Sequence, residues 1–131
     1  MRHLFPLAVA LALLAACQAA PAPQPLSGTW GGDHVRLTFS ASGAALEYDC
    51  ARGEIEGPVI PDGEGRFSAS GTHSPGQGGP VRQGETPPQL PAEYTGRVRG
   101  GRMTLNVAMH EHNLGPLTLE RDATPRLFRC L

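Results

Sequence analysis

Four histidines lie beyond the N-terminal tripeptide, His34, His73, His110 and His112, and two of them fall in the run His110-Glu111-His112. On an extended chain, residues two apart share a face, so both imidazoles point the same way. Imidazole and carboxylate are common ligands for zinc and copper, and His34 or Glu111 could complete such a set. The spacing differs from the His-Glu-x-x-His helix, which stacks its histidines one turn apart. The run His-Glu-His-Asn-Leu-Gly also reads as a polar hairpin tip between Met109 and Leu117. The expected metal complement is therefore none, with His34, His110 and His112 as the only candidates.

Other chemistry finds less support. No Gly-x-Ser-x-Gly elbow exists to hold a nucleophile. Ser70 lies three residues before His73, but nothing in the sequence orients the pair. Glu54 and Glu56 share one strand face, as a glycosidase pair could, yet two acids on a wet face are ordinarily solvated. Gly-Glu-Gly-Arg and Gly-Gln-Gly-Gly do not lead from a strand into a helix, so they cradle no phosphate. The expectation is a protein that is not an enzyme and carries no cofactor. A formal net charge of −1 gives no reason to expect a nucleic-acid partner.

The address is more legible. Arg2 and His3 give a basic start, and residues 4–16 are apolar. Such a segment is too short to span a bilayer as a helix, which needs about 20 residues, and reads as a secretory signal. It ends in Leu14-Ala15-Ala16-Cys17, which resembles the bacterial lipobox. That resemblance implies cleavage before Cys17, a diacylglycerol on its sulfur and an acylated amine, and hence a membrane as partner. Because Gln18 is not aspartate, it also implies the outer membrane, facing the periplasm, in a Gram-negative cell. The rival reading is ordinary cleavage nearby and a soluble exported protein. Residues 18–27, rich in alanine and proline, read as an extended tether. With Cys17 lipidated or removed, Cys50 and Cys130 remain as an even pair in an oxidising compartment, and a disulfide is expected. Neither has a Cys-x-x-Cys partner or a histidine at metal spacing.

What positions these residues is a strand pattern. The chain has 131 residues, one domain by length, with 17 glycines and 13 prolines, which suits short strands and many turns. Period-2 alternation runs through His-Val-Arg-Leu-Thr-Phe (34–39), Ala-Leu-Glu-Tyr-Asp-Cys (45–50) and Gly-Glu-Ile-Glu-Gly-Pro-Val-Ile (53–60). It continues through residues 66–72, 93–100, 102–110 and 116–121, and Arg-Leu-Phe-Arg-Cys-Leu (126–131) brings the chain back. Ser42-Gly43, Asp62-Gly63 and Gly100-Gly101 mark turns, the last a two-residue hairpin signal. The spacing of about ten residues per strand and turn fits a small all-β antiparallel barrel or sandwich over residues 28–131. Residues 75–91, with five prolines, break the rhythm as one long loop, a mobile insertion or a recognition lip that Val81 and Leu90 could pin. The core candidates are Trp30, Leu37, Phe39, Leu46, Tyr48, Ile55, Val59, Phe67, Tyr94, Val98, Met103, Leu105, Val107, Leu117, Leu119 and Phe128, with Val35 joining Leu37 and Phe39 in the first inward row.

Gly28-Thr29-Trp30 resembles the Gly-x-Trp that opens the first strand of lipocalins, avidins and related small barrels. That resemblance implies a tryptophan closing one barrel end, with Arg121, in Leu-Thr-Leu-Glu-Arg, packed across it. Small barrel-type inhibitors of proteases and lysozyme in bacterial envelopes look similar. The globular part is shorter than a lipocalin, and a biotin site of the avidin kind uses several tryptophans where this chain has one. The functional expectation is an exported lipoprotein that binds, or serves as accessory to, another envelope component. The alternatives are an inhibitor of a periplasmic hydrolase and a carrier of a small ligand or metal in the barrel interior.

Overall fold

The computed structural model describes residues 23–76, 83–84, 88–128 and 130. The signal segment, Cys17 and Val81 lie outside these residues. The described chain has no helix and forms eight strands: β1 Gly28–Gly32, β2 Val35–Ser40, β3 Gly43–Tyr48, β4 Ala51–Glu56, β5 Arg66–Pro75, β6 Leu90–Arg99, β7 Arg102–Met109 and β8 His112–Arg121. Each pairs antiparallel with its sequence neighbour, and β8 returns to β1 to close a small lipocalin-like barrel. The closing ladder sets Trp30 opposite Arg121 and Gly32 opposite Leu119. Closure removes both sheet edges, so no strand is left with a free row of backbone groups.

Alternation fixes which side chains fill the barrel. Val35, Leu37 and Phe39 point in from β2, and Met103, Leu105 and Val107 from β7, all buried, with exposed or half-buried neighbours between them. Twelve of the sixteen core candidates are buried, and Leu26, Val35, Ala44 and Ala92 join them. Tyr48, Val98 and Leu117 pack half-buried against this core. Phe128 does not: it is 63 % exposed. The reason is that the described residues after β8 form no strand. They run as a strap along the outside of β1, held to it by backbone hydrogen bonds and by an isolated parallel bridge of Arg126 with Asp33.

Several boundaries also differ from the alternation. His34 is not a strand residue; Asp33-His34 is the β1–β2 turn, with His34 at φ 66°. Cys50 is not an inward strand residue either, because Asp49-Cys50 is the β3–β4 turn and Cys50 is exposed. The β2–β3 turn is Ala41-Ser42, one residue earlier than the glycine signal, and Gly43 already belongs to β3. Val59 and Ile60 leave the sheet: β4 stops at Glu56, Val59 alone dips into the core and Ile60 is exposed. Gly100-Gly101 does join β6 to β7, with Gly100 at φ 58°, in the left-handed region that glycine enters at little cost. The long insertion is shorter than residues 75–91, since β5 holds Pro75 and β6 begins at Leu90.

Candidate functional site

The barrel has two unlike ends. At the end carrying the β2–β3, β4–β5 and β6–β7 connections, the interior is plugged. Trp30 is fully buried, and its Nε1–H donates to the Ser27 carbonyl at 3.2 Å. The Arg121 guanidinium carbon lies 4.6 Å from the Trp30 ring centroid, the geometry of a cation–π contact. Leu26 and Val59, joined by a backbone hydrogen bond of 2.8 Å, are both buried at this end.

Among the described residues, the opposite end is open. Here lie the β1–β2, β3–β4 and β7–β8 turns and the two long strands β5 and β6 that flank the insertion. A recess of about 320 Å³ is lined by Tyr48, Asp49, His73, His112, Leu114 and Leu117, among others. A wider cleft of about 920 Å³ adjoins it, and His73, Pro75 and His112 line both. Neither lining includes Trp30, so the space sits at the mouth and not around the plug. Among the described residues, neither lining includes an arginine, and both include carboxylates, Asp49 in one and Glu93 and Glu111 in the other.

The inward phase of β5, through Phe67, Ala69 and Gly71, carries on to His73, which is only 6 % exposed. Its Nδ1 is buried without a hydrogen-bond partner, and so is the hydroxyl of Tyr48. The two rings stand tilted at 55° with centroids 5.3 Å apart. The Tyr94 hydroxyl is already used, donating to the Thr72 carbonyl at 2.5 Å. Burial pushes the Tyr94 phenol up to about 12. Burial, followed by the neighbouring Tyr94, also raises the Tyr48 phenol well above its usual range. The His73 imidazole is pushed below its usual value, first by burial and then by the facing His112. All three groups are thus held uncharged near neutral pH.

The rim has its own polar knot. Asp49 accepts the Phe128 backbone N–H at 2.8 Å and pairs with His34 Nδ1 at 2.5 Å. The Phe128 hydrogen bond, followed by His34, holds the Asp49 carboxyl below the usual range. His110 lies in the β7–β8 turn and His112 opens β8, facing the mouth. His34 is paired with Asp49; it shares the smaller recess with His112, while His110 lines only the wider cleft. Among the described residues, no three His, Cys, Asp or Glu side chains are grouped as a metal site. Ser70 and His73 are on opposite faces of β5: Ser70 donates outward to Glu93 at 2.5 Å while His73 points in. Glu54 and Glu56 are both exposed on the outside of β4. The inward direction of His73 was open to sequence reasoning, because it follows from extending the β5 alternation by one step beyond Gly71.

The His73 shift carries a pH prediction. A histidine whose folded pKa is depressed binds fewer protons folded than unfolded between the two values. Stability is therefore complete above the unfolded value, about 6.5, and falls as pH drops through it. The thermal midpoint is expected to fall between about pH 7.5 and pH 5, and His73→Phe to flatten that fall. The depressed carboxyls of Asp49 and Asp62 act in a separate window, below their ordinary value near 3.8. An equal fall in the variant would assign it elsewhere.

No protein-family model matches the chain, and no curated protein or solved structure matches it.

Proposed function

We propose that the protein is a non-enzymatic binding protein of the cell envelope, anchored in the membrane through a lipidated Cys17, that presents the open barrel end to its ligand or partner. The observation that carries this reading is the contrast between the two ends. One is sealed by Trp30, Leu26 and Val59, while the other holds a recess with unpaired polar atoms. Small-molecule sites are concave, mostly apolar and provided with a few convergent polar groups, and mouths of β-barrels are a common place for them. Ser70 is turned away from His73 and Glu54 and Glu56 are exposed, so neither of these pairs is arranged for catalysis.

A photo-crosslinking residue placed at His112, on the open rim, and another at Arg99, on the sealed rim, test the polarity in intact cells. Adducts are expected from the first and not the second. Cys17→Ser is expected to move the protein out of the membrane fraction. Adducts from Arg99 alone, or a Cys17→Ser protein that stays with the membrane, would overturn the reading.

A further inference from the structure

A buried polar atom without a partner loses its hydration and gains nothing in return, which is a standing cost to the folded state. Two such atoms at one recess are therefore an unmet demand, and their chemistry limits what can meet it. His73 Nδ1 is on a side chain only 6 % exposed, and Tyr48 Oη is buried beside it. Both side chains line the 320 Å³ recess. Among the described residues, an anion finds no arginine in the lining and meets Asp49. An ammonium head meets the Asp49 carboxylate only at the rim, where its oxygens already hold the Phe128 N–H and His34; beside Tyr48 and His73 it would shed its hydration against a phenol and an imidazole that carry no negative charge. A phenol hydroxyl can donate, and a neutral imidazole nitrogen can accept. A carboxamide offers the matching acceptor and donor on adjacent atoms. Leu114, Leu117 and Ala51 supply apolar wall for a short aliphatic body.

We propose that the mouth binds a small uncharged carboxamide, its head hydrogen-bonded between Tyr48 Oη and His73 Nδ1 and its aliphatic body against Leu114 and Leu117. This ligand class rests on the binding reading above and narrows it to one chemistry. The carbonyl oxygen accepts from Tyr48 and the amide N–H donates to His73, so no charge is buried.

The test is a titration of the isotope-labelled full mature chain, in its oxidised form, with hexanamide, hexanoate and hexylammonium, followed by NMR. Hexanamide is expected to shift the resonances of Tyr48, His73, Leu114 and Leu117 saturably. Hexanoate and hexylammonium are expected to bind at least roughly tenfold more weakly, the worth of about one good hydrogen bond. Tyr48→Phe keeps the ring and removes only the unpaired hydroxyl. It is expected to keep the thermal midpoint or raise it, while weakening hexanamide by roughly tenfold. A mouth that holds only water gives no saturable shift with any probe, and this overturns the proposal. Equal binding of hexanoate, or undiminished binding by Tyr48→Phe, overturns it too. If the crosslinks from His112 persist in those cases, the ligand class alone fails; if they are absent as well, the binding reading fails with it.

Discussion

Trp30→Ala is expected to lower the stability of the barrel by about 3–5 kcal/mol, the range for removing a large buried aromatic. That is a large share of the roughly 5–15 kcal/mol that holds a small domain together. Trp30 has no exposed surface and is the largest side chain of the core. Its loss also leaves the Ser27 carbonyl without its indole donor and Arg121 without the ring beneath it. The surroundings have little freedom to collapse into the space, because β1 is hydrogen-bonded on both sides, to β2 and to β8. Cavity cost grows when a site cannot relax, so the upper part of the range is expected. Arg121→Ala removes only the cation–π contact of an exposed side chain and is expected to cost about 1 kcal/mol. Urea unfolding followed by far-ultraviolet circular dichroism measures both, which avoids a fluorescence signal that the variant has lost. If Trp30→Ala cost no more than Arg121→Ala, the tryptophan would not be the plug of that end.

The fold was legible because alternation is a direct consequence of a barrel wall with one filled and one wet face. β2, β6 and β7 follow it over most of their length. The errors share one cause: alternation continues by accident into turns. His34 and Cys50 each keep the parity of a strand residue, but two-residue turns claim them. Phe128 is apolar and follows a plausible run, yet the barrel closes through β1 and β8, so no ninth strand is needed. Closure itself depends on β1, a five-residue strand with three glycines and no alternation to announce it. The mouth was harder to read than the plug. Tyr48 and His73 come from β3 and β5, 25 positions apart in sequence, and no local spacing links them. Only the register of β3, β4 and β5 brings their rings together.

Removing the Cys50–Cys130 pair is expected to cost the protein up to about 4 kcal/mol while leaving the barrel folded. The two residues stand at disulfide distance, with Cα atoms 5.1 Å apart and 80 positions between them in sequence. Closing a loop of that length takes considerable entropy from the unfolded chain, on the chain-entropy account. The folded barrel does not depend on the pair for closure, because β1 and β8 meet directly. What the pair secures is the strap. Asp122 donates to the Thr29 carbonyl at 2.8 Å, Arg126 to that of Gly32 at 3.1 Å, and Phe128 to Asp49. Gly31 lets the strap approach, since a Cβ there would run into the Ala123 carbonyl. These bonds sit at the surface, where water competes for them, so without the covalent tie the strap is expected to open locally. A Cys50→Ala/Cys130→Ala protein should therefore keep its far-ultraviolet spectrum and melt at a lower temperature. Its Arg126 and Phe128 amides should exchange with solvent much faster than in the parent, while those of β2 and β7 remain protected under native conditions. The contrary outcome, uniform loss of protection around the whole barrel, would mean that the strap is part of the cooperative unit and that the β1–β8 ladder cannot hold the ring closed alone.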